Sequence, residues 1–191
     1  PGLRADEYCE GNMRRQAIPP SGRERFFDDD EIIVTKTDTR GIITYANEVF
    51  LRVAGYTERE VLGQPHNLIR HPDMPMCVFK FLWDTISSGR EIFAYVVNQA
   101  KNGDSYWVLA HVTPTYDGVG KIIGYHSNRR TVNRAAIPAV EAIYKELRRV
   151  EAGHTSSEAA MRAGLECLTA TLQGAGMSYD EFVFSLEAVH A

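Results

Sequence analysis

Runs of β-branched and aromatic residues, each bounded by turn-forming residues, occur at five places along the chain. The first two, Ile32–Lys36 and Ile42–Tyr45, flank the turn residues Asp38–Gly41, a pattern that predicts a β-hairpin. Further along, the hairpin turns KNGD and DGVG separate three longer runs, which predict three more strands. These three runs are Ile92–Ala100, Tyr106–Thr115 and Lys121–Thr131.

Between the second and the third of these strands, the apolar spacing changes to that of helices. Asn47 and Thr57 stand at the N-cap positions of two short helices, and Gly55 ends the first of them. Residues 76–88 repeat apolar side chains four positions apart, which predicts a longer helix that Gly89 ends. This order of elements predicts an α+β fold, in which a five-stranded antiparallel sheet carries short helices over one face.

The segments at both ends differ in composition from this central region, which extends over residues 31–132. Residues 1–30 are polar, and we expect them to form an N-terminal cap with a short helix near Ala5–Gln16. Residues 133–191 have helical spacing, which predicts a C-terminal helical extension. The chain therefore divides into a cap, a central domain and an extension.

The extension begins with an apolar stripe over Ile137–Val150. Such a stripe on a short amphipathic helix serves either as the seam of a homodimer or as a face that packs on the chain's own domain. Thr155 with Glu158, and Ser178 with Glu181, match the capping-box pattern, which predicts that two further helices begin there. The apolar stripe over Ile137–Val150 does not by itself decide between a dimer seam and packing on the chain's own domain.

Charge and cysteine content narrow the class of protein. The net charge of −4 and the absence of a Lys/Arg stripe argue against a general nucleic-acid binder. No apolar run approaches the roughly 18 residues that a membrane span needs, and the N-terminal residues lack the apolar core of a secretory signal. Because Cys9, Cys77 and Cys167 are far apart and odd in number, we expect free thiols in a reducing cytoplasm.

The greatest concentration of chemically active side chains lies in the stretch NLIRHPDMP, Asn67–Pro75. Arg70, His71 and Asp73 can together hold an anionic ligand. Alternatively, His71 and Asp73 can bind zinc together with His66. The least specific interpretation is a surface ion pair between Arg70 and Asp73, with Asp73 also favouring the start of the next helix. Since the chain has no nucleophile elbow, glycine-rich phosphate loop or paired catalytic carboxylates, we expect no enzymatic activity.

Four stretches of the chain form a recognisable set: TDTRGIITYANEVFLRVAGYTEREVLGQPHNLIRHPDMP, FLWDTISSGREIF, KNGDSYWVLAHVTP and KIIGYHSNRRT. Together they resemble PAS sensory domains, in particular the flavin-binding PAS domain of bacterial aerotaxis transducers. The resemblance covers about residues 31 to 131, and GQPHNLIRHPDMP is close to the family's signature. It implies a PAS fold with FAD between the sheet and the short helices. It also implies a sensor of redox state or oxygen in signal transduction, as in aerotaxis or energy taxis.

The resemblance further implies a set of cofactor-binding residues. Phe79 and Trp83 offer flat aromatic surface to a flavin ring, and Asn98 can hydrogen-bond the polar edge of that ring. Arg70 offers a planar fork to phosphate, and His71 can add a hydrogen bond or a charge. The positions that correspond to FAD contacts of the family are Asn47, Arg70, His71, Asp73, Phe79, Trp83 and Asn98.

The chain departs from the family pattern in two strands. Gln99 and Ala100 stand where arginines are usual, just before the KNGD turn. His126 and Asn128 stand in the last strand, where apolar residues are commoner. Both departures concern positions at which the ligand contacts are expected to differ from those of the family.

Two other functions are compatible with a PAS fold. Some PAS domains bind haem through a histidine, for which His71, His111 and His126 are the candidates. Others bind no cofactor and serve as dimerisation or interaction modules. For the flavin-binding sensor, we expect the state of the domain to pass to a downstream signalling domain or protein.

Overall fold

The computed structural model describes residues 18–188. The helix predicted near Ala5–Gln16 lies outside this range, so the N-terminal cap stays a prediction. The described part of that cap packs on the turn between the third and fourth strands. There the carboxylate of Asp104 accepts hydrogen bonds from Ser21 Oγ at 2.6 Å, from Arg23 Nε at 3.2 Å and from Arg25 Nε at 3.0 Å.

Five strands form one antiparallel sheet in the order β2-β1-β5-β4-β3. The strands are β1 (Ile33–Asp38), β2 (Ile43–Ala46), β3 (Ile92–Gln99), β4 (Ser105–Tyr116) and β5 (Ile122–Arg130). The first strand of the chain pairs with the last one at the centre of the sheet, since Thr35 lies opposite Ser127 and Ile33 opposite Arg129. This arrangement confirms the α+β fold with a five-stranded antiparallel sheet that the sequence predicts.

Helices of two groups surround the sheet. The first group covers one face and comprises α1 (Glu48–Ala54), α2 (Glu58–Val61), a 3₁₀ turn (His66–Ile69) and α3 (Met76–Ser87). The second group forms the C-terminal extension and comprises a 3₁₀ turn (Arg134–Ala136), α4 (Ile137–Glu151), α5 (Ser157–Gly174) and α6 (Tyr179–Glu187). Among residues 18–188, no helix is both long and apolar enough to cross a bilayer.

Side-chain caps define where most of these helices begin. The capping boxes at Thr57 and Ser178 are present as predicted. The capping box predicted at Thr155 is wrong by one residue, because Ser156 Oγ accepts the hydrogen bond from Ala159 N at 3.2 Å. A serine one position later competes for the same role, and in this loop Ser156 has the extended backbone of an N-cap.

The apolar stripe of α4 packs on the chain's own domain. Val140, Tyr144 and Leu147 are buried in the same core as the sheet and α3. Tyr144 Oη also donates a hydrogen bond to the carbonyl oxygen of Tyr95 on β3, at 2.5 Å. Of the two surfaces that the stripe could serve, the structure therefore shows intramolecular docking.

The extension holds the N-terminus of α3 through one buried carboxylate. Pro75 stands at the N-cap of α3 and has no side-chain acceptor to offer the first N–H groups. Glu151, at the end of α4, supplies that acceptor: Oε1 lies 2.7 Å from Cys77 N and Oε2 lies 3.0 Å from Met76 N. A Cβ atom on Gly164 of α5 would lie 2.8 Å from Cys77 Sγ, so the two helices meet without space for a side chain. Glu151 thus replaces a local cap from 75 residues further along the chain.

Candidate cofactor-binding site

A cavity lies between the sheet and α3, with about 690 Å³ of empty space that includes its open mouth. Four residues predicted from the sequence line it: Arg70, Phe79, Trp83 and Asn98. The other lining residues are Thr35, Thr37, His66, Asn67, Ile69, Leu82, Ile86, Val96, Ala110, Val112, Tyr125, Ser127 and Arg129.

Two aromatic rings on α3 form one wall of the cavity. Phe79 and Trp83 are four residues apart, so one helical turn places both on the same face. Trp83 is held edge-on against Tyr125 of β5, with ring centroids 5.3 Å apart and an interplanar angle of 85°. This wall offers a planar ligand rigid aromatic surface with little freedom to rotate.

Two buried polar groups face the cavity from the sheet. Asn98 on β3 is only 4% exposed, and its Nδ2 has no hydrogen-bond partner among residues 18–188. Ser127 Oγ on β5 is likewise buried without a partner in the described chain. A buried polar group without a partner costs about 1–3 kcal/mol. A ligand with hydrogen-bonding atoms at its edge would therefore suit this floor.

Arg70 lies at the mouth of the cavity. Its guanidinium sits over the ring of Phe79, with Cζ 4.4 Å from the ring centroid. Its backbone forms an isolated antiparallel bridge with Asn98, which ties the loop after the 3₁₀ turn to the edge strand. The structure thus brings a cation, an aromatic wall and an amide floor together in one cavity.

The other three predicted site residues lie outside the cavity lining. Asn47 caps α1: its Oδ1 accepts from Phe50 N at 3.0 Å, and its Nδ2 donates to Ile32 O at 2.7 Å. His71 is buried, and its Nδ1 accepts a hydrogen bond from Asp73 N at 3.1 Å. Asp73 pairs with Arg148 of α4. These three residues support the fold and the loop around the cavity in the conformation that the structure shows.

A buried polar cluster on the sheet side was not predicted as part of the site. Arg129 of β5 is 3% exposed, and its Nη2 lies 2.9 Å from Thr35 Oγ1 and within hydrogen-bonding distance of His66 Nε2. His66 Nε2 is also 3.1 Å from Thr35 Oγ1. Burial and the nearby Arg129 cation lower the pKa of His66 well below its ordinary value of 6.5. The cluster places a permanent positive charge against the cavity.

The zinc alternative required His66 together with His71 and Asp73. In the structure His66 faces Arg129, whereas His71 Nδ1 lies 3.7 Å from Asp73 Oδ2 on the other side of the loop. Across residues 18–188 no group of three His, Cys, Asp or Glu side chains is arranged to hold a metal ion.

The departures from the family pattern also lie away from the cavity lining. His126 and Asn128 alternate along β5 with Ser127 and Arg129, so they stand on the opposite face of the sheet. Gln99 Nε2 donates to the carbonyl oxygen of Ile18 at 3.2 Å. None of the four residues that depart from the family pattern lines the cavity.

The burial of His66 makes the fold sensitive to acid. Because its folded-state pKa lies below 6.5, the unfolded chain binds a proton at a pH where the folded chain does not. The free energy of unfolding is therefore expected to fall as the pH drops below 6.5, by up to about 1.4 kcal/mol per pH unit for this group. Denaturant titrations at a series of pH values measure this slope.

A substitution separates this histidine from the others. His66→Gln is expected to reduce the slope, whereas His154→Gln, at an exposed position, is expected to leave it unchanged. His71 and His126, whose pKa values are also lowered by burial, remain in both variants. An unaltered slope in His66→Gln would show that the acid sensitivity arises elsewhere.

Comparisons with known proteins agree with this geometry. Residues 43–129 match the sequence model of a family described as the PAS fold. The aerotaxis receptor of Escherichia coli (strain K12) is 45% identical over 128 residues, which are 67% of this chain and 24% of the receptor. The nitrogen fixation regulatory protein of Klebsiella pneumoniae is 28% identical over 102 residues, which are 53% of this chain and 21% of that protein. This chain thus spans about a quarter of the first relative and about a fifth of the second.

Solved structures share the architecture. A light-oxygen-voltage domain studied with a flavin analogue matches with a TM-score of 0.51 at 20% identity, over 60% of this chain and 86% of that chain. At this level of identity the likeness shows the fold alone. The sheet order, the helices over one face and the match over residues 43–129 together show that this chain contains a PAS domain.

Proposed function

We propose that this PAS domain binds FAD in the cavity between the sheet and α3 and senses redox state or oxygen in signal transduction. The single observation that carries this proposal is the composition of the cavity. Phe79 and Trp83 form an aromatic wall, and on the floor of the cavity the buried Nδ2 of Asn98 has no hydrogen-bond partner within residues 18–188. The sequence similarity to an aerotaxis receptor supports the same assignment.

The lining suits a flavin in both its polar and its apolar parts. Ala110, Val112 and Val96 provide a smooth apolar surface, on which a flat ring can lie without displacing polar groups. Asn98 and Ser127 can satisfy the hydrogen-bonding edge of such a ring. A bound flavin would supply the electron acceptor, since its charge and protonation change when it is reduced.

The protein's own groups can respond to that change. Arg129 carries a permanent positive charge beside the cavity, which favours an added negative charge on a ligand there. The amide of Asn98 can rotate to offer either its donor or its acceptor. Because Arg70 bridges the backbone of Asn98, a shift of this strand reaches the loop and the helices that pack on it. We propose that this shift is the signal passed to a downstream domain or protein in the cytoplasm.

The three histidines that were considered as haem ligands lie outside the lining of the cavity. His71 bonds within its own loop, and His111 Nε2 lies 2.7 Å from Glu91 Oε2 while its ring stacks on Phe93. His126 lies on the opposite face of the sheet from the cavity. None of the three histidines proposed as axial ligands lines the cavity.

Absorbance of the purified protein tests the cofactor directly. We expect a yellow protein with the two absorption bands of an oxidised flavin, which bleach with dithionite and return in air. A red preparation with a Soret band would identify haem instead. A colourless protein that does not take up added FAD would contradict both cofactor proposals and favour an interaction module without a cofactor.

A further inference from the structure

A second groove begins where the cavity ends. It lies between the loop that follows Arg70 and the connection from α4 to α5, with about 1,020 Å³ of space that is open to solvent. Arg70 lines both the cavity and this groove. The opposite wall comes from the C-terminal extension, through Arg148, His154 and Thr155. Arg70 therefore stands between the cavity and a groove of which the extension forms one wall.

The groove carries cations whose capacity for hydrogen bonding is not used up. Among residues 18–188 the guanidinium of Arg70 makes neither a hydrogen bond nor an ion pair, and it lies over the ring of Phe79. Arg148 Nε is buried without a hydrogen-bond partner in the described chain. Arg70 and Arg148 thus both line one groove, and each has guanidinium donors that no group among residues 18–188 uses.

Two carboxylates lie close to these cations, and both are accounted for. Glu151 lines the groove, but its two oxygens already accept hydrogen bonds from Met76 N and Cys77 N. Asp73 pairs with Arg148, and its side chain is 56% exposed. An ion pair of this kind contributes about 0–1 kcal/mol. Arg148 can therefore exchange it for a stronger anion at little cost.

We propose that this groove binds the diphosphate of the flavin dinucleotide, so that the extension selects FAD over shorter flavins. The inference rests on the proposed function, because it assumes that the ring of the flavin occupies the cavity. Guanidinium groups bind phosphate oxygens with paired, charge-assisted hydrogen bonds. Arg148 and His154 lie beyond residues 43–129, so this contact belongs to the extension and not to the matched PAS region.

Replacing Arg148, which lines the groove from the C-terminal extension, tests this proposal. The cofactor-free protein is titrated with FAD, FMN and riboflavin, and binding is followed through quenching of flavin fluorescence. We expect wild-type affinity to fall in the order FAD, FMN, riboflavin. In Arg148→Ala the affinity for FAD is expected to fall about ten- to a hundredfold, the equivalent of one charge-assisted contact. The affinity for riboflavin, which has no phosphate, is expected to stay within about twofold.

Arg149→Ala serves as the matched control. Arg149 is the next residue of α4, but its side chain is 72% exposed and pairs with Glu146 outside the groove. We expect its FAD affinity to equal that of the wild type, and added salt to weaken FAD binding more than riboflavin binding.

The possible results separate the two proposals. If Arg148→Ala binds FAD as tightly as the wild type, or loses FAD and riboflavin affinity equally, the groove does not hold the diphosphate although the cavity holds the ring. If the wild-type protein binds none of the three flavins, the proposed function fails, and the selection of FAD fails with it.

Discussion

Glu151→Ala is expected to lower the free energy of unfolding by about 2–4 kcal/mol, because it removes the acceptor for two N–H groups at the start of α3. Glu151 is 5% exposed, so water cannot readily replace the lost carboxylate. The N-cap residue Pro75 cannot compensate with its own side chain. Urea titration of the variant, with an unchanged m-value, measures this loss.

Glu146→Ala provides the control for that measurement. Glu146 is on the same helix, but its carboxylate is half exposed and pairs with Arg149 three residues later. Its removal is expected to change the free energy of unfolding by less than about 0.5 kcal/mol. If both variants lost the same free energy of unfolding, the hydrogen bonds from Glu151 to the start of α3 would not stabilise the fold more than a surface ion pair does.

Trp83→Ala is expected to lower flavin affinity about ten- to a hundredfold while the domain stays folded. The change removes the ring that stands edge-on to Tyr125 and opens the aromatic wall to water. Stacking of a heterocyclic base on an aromatic side chain is worth about 1–3 kcal/mol, which corresponds to this loss in affinity. The flavin content after purification and the dissociation constant of added FAD measure it.

Phe81→Ala is the matched control for the tryptophan variant. Phe81 is on the same helix, but it packs against Tyr179 of α6, with ring centroids 4.8 Å apart, and does not line the cavity. We expect this variant to lose stability and to keep its flavin. Full flavin occupancy in Trp83→Ala would show that the ring of Trp83 does not help to bind the flavin.

Local signals were sufficient to predict the strands, and their observed bounds lie within two residues of the predicted ones. Turn residues and alternation act over a few neighbouring positions, so they can be read without tertiary information. The helix caps at Thr57 and Ser178 were predicted for the same reason. At Thr155 the position of the N-cap was ambiguous, because the next two residues are serines, which suit the same role.

Contacts between distant parts of the chain could not be predicted in this way. Thr35, His66 and Arg129 meet only because β1 pairs with β5 and the 3₁₀ turn folds over them. Alternation along β5 places Arg129 on the same face as Ser127, and this was the one available signal.

Asn47 was predicted to contact FAD, but in the structure it caps α1. An asparagine at a helix start suits both a ligand contact and an N-cap, and the residue type does not distinguish them. In the structure its Oδ1 accepts from Val34 N and Phe50 N, and its Nδ2 donates to the carbonyl oxygen of Ile32. By contrast, Asn98 stands inside a strand, one residue before its end, and caps no helix, so there the ligand interpretation was the more specific one.

The close approach of Gly164 to Cys77 bears on how movement can pass through this molecule. Where two helices are separated by a layer of long side chains, a small displacement of one is absorbed by changes of rotamer. Here the contact is backbone against Cβ and sulfur, with Glu151 wedged at 3.0 Å from the position of a Cβ on Gly164, so no such slack exists. We therefore expect a sub-ångström movement at the start of α3 to displace α5 by a similar amount in the same direction.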